Sequence, residues 1–316
     1  MNILFVSGLD IGGWGWRVSK AINKYTKWKA KNLVMQQTYL NYPCDHLYPK
    51  MNQEEVKELL EWADFYVLRW IDQDQMFNKL KLQNYLRPDN FLIKLHGSEA
   101  RSGIWLYWFN PLLEWNPMIL TSFDYTIARV AGFSCQHIPH LIDFDDLPKP
   151  DRPDPPPIRI AHSPTDPSKK GTKIFLKAVE NLKKAGITEI EPVMITGKPY
   201  QECLKIKATC HVTFDQIGYQ LQKTFGMSSI EAWALRQPSI VELDYWTLSR
   251  WPELEEIVYL ANPNNLEEVL RKIVENKRMI KYWGFRAYEF ARENFDARKV
   301  VWQWVNLIKF VSSGRR

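Results

Sequence analysis

The chain has 316 residues, about twice the roughly 150 residues usual for one domain, which predicts two domains or one large α/β domain. Its 45% hydrophobic and 25% charged residues are typical of a soluble globular protein and exclude a disordered, collagen-like or membrane-embedded chain. The 42 basic and 36 acidic residues give a net charge of +6, which is compatible with contact to phosphate-rich partners or an anionic membrane surface.

No apolar run approaches the roughly 18 residues that a bilayer span requires, and Met1 to Asp10 has the pattern of a buried strand rather than a secretion signal. We therefore expect a cytoplasmic protein, either free or peripheral to a membrane. The four cysteines lie far apart without a C-x-x-C spacing, so we expect reduced core residues and no zinc site. Most of the 14 tryptophans should be buried, although some could stack on sugars or bases.

The N-terminal half alternates short apolar runs with helical periodicity. Strands are predicted at Ile3–Val6, Phe65–Leu68 and Phe91–Leu95, and a helix at Glu54–Trp62. This alternation predicts βα units around a parallel sheet, which makes residues 1–150 a Rossmann-like domain.

A proline-rich segment, Leu147–Ile158, follows this half and contains six prolines among charged residues. Such a segment cannot donate ladder hydrogen bonds and favours an extended backbone, so it is predicted to be an interdomain linker. A second Rossmann-like domain is then predicted over residues 151–294. Its predicted strands are Ile158–Ala161, Val193–Thr196, Val212–Phe214, Ser239–Val241 and Ile257–Leu260, and its predicted helices are Thr172–Ala185, Met227–Leu235, Leu266–Asn276 and Met279–Asn294.

The last segment, residues 295–316, is predicted to contain a helix over Asp296–Val311 with Asp296 as its N-cap. Its apolar residues recur at helical spacing although the second domain already looks complete. We therefore expect this helix to cross back and pack on the N-terminal domain.

Four loops that follow predicted strands could carry chemistry, because ligands of parallel α/β sheets bind beyond the carboxyl ends of the strands. In the first loop, Gly12 and Gly13 would allow a close backbone approach to a ligand, with a tight turn as an equally good interpretation. In the second, His96 could donate into a cleft, although on its own it is more typical of a structural histidine.

The third and fourth loops carry the residues expected of a phosphate site. Lys169 and Lys170 precede a helix and could neutralise a phosphate, although two solvated lysines would have the same pattern. In the fourth loop, Gly226 opens a helix whose amides could bind a phosphate, and Glu231 could accept from a ribose diol rather than being an exposed carboxylate.

The run Phe225-Gly-x-x-x-x-Glu231-Ala-x-Ala-x-x-x-Pro238-x-Ile-Val resembles the nucleotide-sugar signature of the family 4 retaining glycosyltransferases. Further matches occur in the same order as in that family, at Gly12-Gly13, His96-Gly97-Ser98, Ile138–Asp143 and Lys170-Gly171. The resemblance covers nearly the whole chain. It implies the α/β GT-B fold, in which two Rossmann-like domains face a central cleft.

The resemblance also implies a role for each matched residue. His96, Lys170 and Glu231 would be catalytic: His96 contacts the transferred sugar, Lys170 stabilises the departing diphosphate and Glu231 holds the ribose. The remaining donor-binding residues would be Gly12, Gly13, Ser163, Thr165, Lys169, Lys223, Thr224, Phe225, Gly226, Met227, Ser228 and Ser229. The resemblance implies no cofactor and no metal ion, because side chains and a helix dipole take the place of a divalent cation.

Two positions depart from the family pattern. Lys223 stands where the family usually has a glutamate, and Pro164 stands where it usually has an arginine. These departures leave the donor sugar open, together with the efficiency of turnover.

The expected function is transfer of a sugar, with retention, from a UDP- or GDP-sugar to a saccharide or a lipid-linked saccharide. One alternative is the same chemistry on a modified base in DNA, such as a hydroxymethylpyrimidine, and another is a catalytically silent sugar-nucleotide-binding protein. The acceptor candidates are Asp10, Trp14, Trp16, Arg17 and Arg101, with packing as the favoured role of the tryptophans.

Overall fold

The computed structural model describes residues 1–97, 102–121, 132–219 and 223–314. The chain forms two compact units. Unit 1 comprises Met1–Asp143 and Asp296–Arg316, and unit 2 comprises Phe144–Phe295.

Unit 1 contains a parallel sheet of seven strands within the described residues, in the order β3-β2-β1-β4-β5-β6-β7. The strands are β1 (Asn2–Leu9), β2 (Lys29–Gln36), β3 (His46–Leu47), β4 (Phe65–Arg69), β5 (Phe91–Lys94), β6 (Met118–Thr121) and β7 (Cys135–His137). Its first helices are α1 (Trp14–Tyr25), α2 (Gln53–Trp62), α3 (Ile104–Trp108) and α4 (Asn110–Leu113).

Strand β2 was not among the predicted strands, because lysines and a buried asparagine interrupt its apolar residues. The asparagine, Asn32, is accommodated by its exchange of hydrogen bonds with Asp45. The Asn32 amide donates to the Asp45 carboxylate at 2.8 Å, and the Asp45 amide donates to the Asn32 side-chain carbonyl at 2.9 Å. A satisfied polar pair therefore allows β2 to lie beside β1.

Unit 2 contains a parallel sheet of five strands in the described part of the chain, in the order β12-β11-β10-β8-β9. The strands are β8 (Ile158–His162), β9 (Ile190–Met194), β10 (Val212–Gln216), β11 (Ser239–Val241) and β12 (Val258–Leu260). The helices are α5 (Thr172–Lys184), α6 (Tyr200–Ala208), α7 (Met227–Ala234), α8 (Tyr245–Arg250), α9 (Leu266–Glu275) and α10 (Lys277–Asn294).

Strand β9 begins three residues before its predicted position at Val193. The sequence pattern obscured it because Pro192 lies inside the strand. A proline is tolerated there since β9 is an edge strand of the sheet, where not every amide needs a ladder partner.

The last helix, α11 (Ala297–Ser312), belongs to unit 1. Side chains of β1 alternate between the two faces of the sheet, and Ile3 and Phe5 share a hydrophobic cluster with α1 and α11. Trp304 of α11 packs on Trp14 of α1 at 5.5 Å between ring centroids. The expected return of the C-terminal helix to the N-terminal domain is therefore confirmed, and Asp296 caps it by accepting from the Arg298 amide at 2.9 Å.

The two units divide between Asp143 and Phe144, so the boundary expected at residues 150 and 151 falls inside unit 2. The Phe144 ring packs on Tyr288 at 5.4 Å, which attaches this segment to unit 2. The proline-rich segment also bonds to unit 2, since the Arg152 guanidinium donates to the Arg236 carbonyl at 3.0 Å. Part of the segment predicted as an interdomain linker thus belongs to the second unit.

Among the described residues, no helix combines the length and apolarity needed to span a bilayer.

Candidate functional site

A polar site of unit 2 lies where β8 and β10 end. These two strands are parallel neighbours, so the loops that follow them lie at the same edge of the sheet. The loop after β8 ends at Gly171, which begins α5 with φ of 71°. A Cβ atom there would lie 2.6 Å from the Ile217 carbonyl oxygen, so this close approach requires glycine.

Lys170, directly before that glycine, reaches the end of β10. Its ammonium donates to the side-chain carbonyl of Gln216 and lies 3.7 Å from Oδ1 of Asp215. An ammonium has three donors, so Lys170 can bind a further anion while it keeps Gln216 as a partner.

The N-terminus of α7 lies beside Lys170. Oδ2 of Asp215 accepts from the Gly226 amide at 2.6 Å and from the Ser229 hydroxyl at 2.7 Å. A Cβ atom added to Gly226 would be 3.5 Å from Nζ of Lys170. The structure therefore brings together Lys170 and the helix start, as a phosphate site requires.

The amides expected to bind phosphate are not all available. Asp215 takes the Gly226 amide, and the Ser229 amide donates to the Gly226 carbonyl at 3.1 Å. The amides of Met227 and Ser228 belong to the first helical turn, where the helix itself supplies no acceptor. These two amides are the helix donors best placed for an anion.

Glu231 lies in the next turn of α7 and is 4% exposed. Its Oε2 accepts from the ammonium of Lys207, a residue of α6 that is 1% exposed, at 2.8 Å. The same ammonium donates to the Ser228 hydroxyl at 3.0 Å, and this hydroxyl lies 3.4 Å from that of Ser163. Glu231 is thus a buried carboxylate with a dedicated cation.

The electrostatics of this pair favour its charged form. Burial acts to lower the pKa of Lys207, but the carboxylate of Glu231 opposes this effect, and the pKa is raised above 10.5 overall. Lys207 therefore carries a positive charge beneath the first turns of α7 at neutral pH.

His162, the last residue of β8, is a fully buried part of the same region. Its Nε2 lies 2.8 Å from the Thr172 hydroxyl and its Nδ1 lies 3.0 Å from the Phe214 carbonyl oxygen. Burial lowers its pKa to about 4, so the ring is neutral and connects β8, β10 and α5.

The other residues of unit 2 that were expected to bind the donor do not contact Lys170 or Glu231 through the interactions described here. Thr165 and Lys169 are exposed, and Lys169 forms an ion pair with Asp166 at 3.1 Å. The Thr224 carbonyl accepts from Gln216. The Phe225 side chain is fully buried in an aromatic core, so only its backbone could meet a ligand.

Lys223, at the position where the resemblance would place a glutamate, is paired with a carboxylate from elsewhere. Its ammonium lies 3.0 Å from Oε1 of Glu242, the residue that follows β11. The other oxygen of Glu242 accepts from the Gly218 amide at 2.7 Å.

In unit 1 the two neighbouring glycines have different surroundings. Gly13 begins α1 with φ of 59°, and a Cβ atom there would lie 2.2 Å from the Tyr42 ring. A Cβ atom on Gly12 would meet open space. Gly13 is thus required by the turn, whereas Gly12 leaves room beside the backbone.

The acceptor candidates of unit 1 lie at the carboxyl end of β1 and in α1. Asp10 accepts from the Trp14 amide at 3.2 Å and from Arg69 at 3.4 Å. The Trp14 ring is buried against Phe5 at 5.3 Å, so core packing occupies it. Arg17 is also buried and donates to the Gly12 carbonyl at 3.4 Å.

Trp16 is half-buried, with the Lys20 ammonium 5.6 Å from its ring centroid. Arg101 and Ser98 lie outside the described residues.

His96 follows β5 and has its ring 5.1 Å from that of His140. Burial, together with the positive charges of Arg69 and Lys94, holds the pKa of His96 well below 6.5. Its ring is therefore neutral, which suits hydrogen bonding to a hydroxyl group better than binding to an anion.

Three polar residues of the site in unit 2 were not predicted from the sequence: Asp215, Gln216 and Lys207. Asp215 and Gln216 did leave a signal, since these two adjacent polar residues directly follow the predicted strand Val212–Phe214. Lys207 left none, because one lysine among several on α6 does not reveal which of them is buried.

The sequence also contains two Asp-x-Asp patterns, one at Asp72 and Asp74 and one at Asp143 and Asp145. Asp143 is paired with Lys24 at 2.9 Å. Asp72 accepts from the Gln75 amide at 2.8 Å, and Asp74 is paired with Lys79 at 3.0 Å. Within the described residues no group of histidine, cysteine and acidic side chains has the arrangement of a metal site.

Comparison with solved structures identifies the fold. HepE from Anabaena, in complex with UDP-glucose, aligns with a TM-score of 0.67 at 12% identity, over 98% of this chain and 99% of that chain. Sucrose-phosphate synthase from Thermosynechococcus elongatus aligns with a TM-score of 0.65 at 12% identity, over 99% and 100% of the two chains. An α-glucosyltransferase in complex with UDP and a 13-mer DNA aligns with a TM-score of 0.64 at 12% identity, over 98% and 100%.

No protein-family model matches the chain, and comparison with curated proteins finds no match. The likeness to the solved structures concerns the fold. The chain has the GT-B fold of these glycosyltransferases, which confirms the expected fold class.

Proposed function

We propose that this protein is a metal-independent, retaining glycosyltransferase that takes a sugar from a nucleotide diphosphate sugar, a UDP- or GDP-sugar, and transfers it to a saccharide or a lipid-linked saccharide. The observation that carries the proposal is the position of Lys170 beside the N-terminus of α7, with Glu231 one turn further along. The GT-B fold supports the same assignment.

The chemistry follows from where charge develops. Departure of a nucleoside diphosphate concentrates negative charge on its β-phosphate, and fixed donors aimed at this position lower the barrier. Lys170 supplies an ammonium, and the first turn of α7 supplies the amides of Met227 and Ser228 with the positive end of the helix dipole. Glu231 is the proposed acceptor of the ribose hydroxyls, held in place by Lys207.

The proposed partners in unit 1 are a neutral His96 for the transferred sugar and the residues near Asp10 for the acceptor. Arg69 holds the Asp10 carboxylate at 3.4 Å, so this carboxylate is oriented before an acceptor hydroxyl arrives.

Two alternatives are supported by particular observations. A DNA acceptor with a modified base is supported by the net charge of +6 and by the structural neighbour that binds DNA. A catalytically silent binding protein is supported by Lys223 and Pro164 at positions where the resemblance places other residues.

The decisive experiment is a panel of UDP- and GDP-sugars, assayed for affinity by calorimetry and for slow donor hydrolysis by NMR in the presence of a chelator. We expect one donor to bind and to release its sugar, with the α-anomer appearing first from an α-linked donor. K170A and E231Q should each weaken binding or turnover by about ten- to a hundredfold, the value of a lost charge-assisted hydrogen bond.

The matched control is K177A, which removes an exposed lysine of α5 that is paired with Glu180. Its affinity and turnover should equal those of the wild type. Donor binding without any hydrolysis would favour the silent binding protein, and activity that disappears with the chelator would contradict the phosphate site proposed here.

A further inference from the structure

Basic residues are unevenly distributed along the chain. Residues 14–29 and 297–316 together contain ten of the 42 basic residues and none of the 36 acidic residues. The rest of the chain therefore has 32 basic residues against 36 acidic ones and is slightly acidic. The positive net charge originates in these two segments, which lie at opposite ends of the sequence.

The fold brings the two segments together in unit 1. Helices α1 and α11 share one hydrophobic cluster, which contains Val18 and Ile22 of α1 with Ile308 of α11. The contact continues beyond α1, since the Lys309 ammonium lies 5.9 Å from the centroid of the Trp28 ring. Within the described residues, the segment 14–29 and helix α11 thus form one continuous surface.

The outward side of this surface combines lysines with large apolar rings. Trp302 is 48% exposed and Phe310 is 42% exposed, on the side of α11 that does not pack on the core. We define the α1–α11 face by Lys27, Trp302, Lys309 and Phe310. Lys24 and Arg298 are left out because they are paired with Asp143 and Asp296.

We propose that the α1–α11 face docks on the surface of an anionic lipid bilayer. Lysines are attracted to anionic headgroups, and tryptophan and phenylalanine rings on a helix enter the boundary between headgroups and acyl chains. The phosphates of a DNA duplex would also attract the lysines, but the outer backbone of a duplex offers no apolar layer to Trp302 and Phe310. The combination of charge and exposed rings therefore favours lipid.

This docking does not depend on the sugar transfer proposed above, because it can be measured without a donor or an acceptor. The experiment is cosedimentation of the full chain with vesicles of phosphatidylcholine alone, and with vesicles that contain about one third phosphatidylglycerol. We expect binding to the anionic vesicles only, weakening as salt screens the lysines.

Two double variants test the face. K27E/K309E should lower the partition coefficient on anionic vesicles by about 25-fold or more, from about fivefold for each lysine. W302S/F310S should lower it by about tenfold, since each half-exposed ring loses part of its burial in the bilayer. The controls are K183E/K205E, with the same charge change on exposed lysines of unit 2, and W246S, on an exposed tryptophan of α8. Both controls should bind like the wild type.

Three results would overturn the proposal. One is no binding to anionic vesicles at low salt. Another is equal loss of binding in K183E/K205E and K27E/K309E, which would show a general charge effect. The third is binding of duplex DNA, lost in K27E/K309E, by a protein that ignores the vesicles, which would assign the face to nucleic acid.

Discussion

Replacement of Lys207 by methionine should be among the most damaging single substitutions in unit 2. Methionine keeps an unbranched side chain but removes the ammonium, which donates to Glu231 at 2.8 Å and to Ser228 at 3.0 Å. The Glu231 carboxylate then stays buried without its cation. Removing one partner of a buried ion pair costs about 3–5 kcal/mol of the free energy of unfolding.

The pH at which this effect is measured can be chosen from the pKa of Lys207. Because the folded pKa of Lys207 is raised above 10.5, the charge of Lys207 contributes its full stability below pH 10.5, and this contribution is lost as the pH rises through the folded pKa. Urea unfolding at neutral pH, followed by far-UV circular dichroism, therefore measures the whole contribution.

Two further variants distinguish loss of the ion pair from general damage. K205M removes an exposed lysine from the same helix and should change the free energy of unfolding by less than about 0.5 kcal/mol. K207M/E231Q removes both charges and should be more stable than K207M by at least about 1 kcal/mol, because no uncompensated charge remains. A K207M protein as stable as the wild type, or a double variant whose loss equals the sum of the single losses, would refute this reasoning.

The remaining predictions concern the pH dependence, the helix start and the glycine turn. Burial lowers the pKa of His162 to about 4 in the folded protein, so on acidification the histidine is protonated in the unfolded state before it is protonated in the folded state. The free energy of unfolding should therefore fall by about 3 kcal/mol from pH 6.5 to pH 4. H162Q should flatten that part of a pH series of urea titrations, and an unchanged slope would contradict the assignment. D215N should cost about 1–2 kcal/mol of stability, since the side chain caps α7, yet calorimetry should show several-fold tighter binding of a nucleoside diphosphate because a negative charge is removed. G13A should lower the free energy of unfolding by about 2 kcal/mol or more, whereas G12A should change it little; equal effects of the two would disprove the difference in their surroundings.

The sequence was most informative where apolar periodicity coincides with burial. The helix predicted at Glu54–Trp62 is present as α2, because a capping box of Asn52 and Glu55 begins the helix directly before its apolar face. Strand β2 was missed because lysines and Asn32, which exchanges hydrogen bonds with Asp45, interrupt its apolar residues. Strand β9 was displaced because Pro192 suits only an edge strand. Such elements are determined by their neighbours in the fold more than by their own residues.

In the candidate site, too, some contacts could be predicted from the sequence and others could not. The proximity of Lys170 to Gly226 could be expected, since both follow strands that pair in the parallel sheet. The contact between Lys207 and Glu231 could not, because it joins two helices whose relative position depends on packing against the sheet. A lysine on the buried side of α6 has no distinguishing feature in the sequence.

The charges around the proposed phosphate site are more nearly balanced than its lysines suggest. Lys170 lies 3.7 Å from Asp215, and Lys223 lies 3.0 Å from Glu242, so each ammonium has a carboxylate beside it. Lys223 stands where the resemblance predicts a glutamate. A carboxylate still lies beside Lys223, because Glu242 directly follows β11. The nearby carboxylates offset part of the attraction that the lysines would exert on a diphosphate. In the proposed site, the amides in the first turn of α7 would therefore contribute a large share of its binding. In the proposed site, Lys223 is thus balanced by Glu242, and the N-terminus of α7 is the element whose amides remain for a diphosphate.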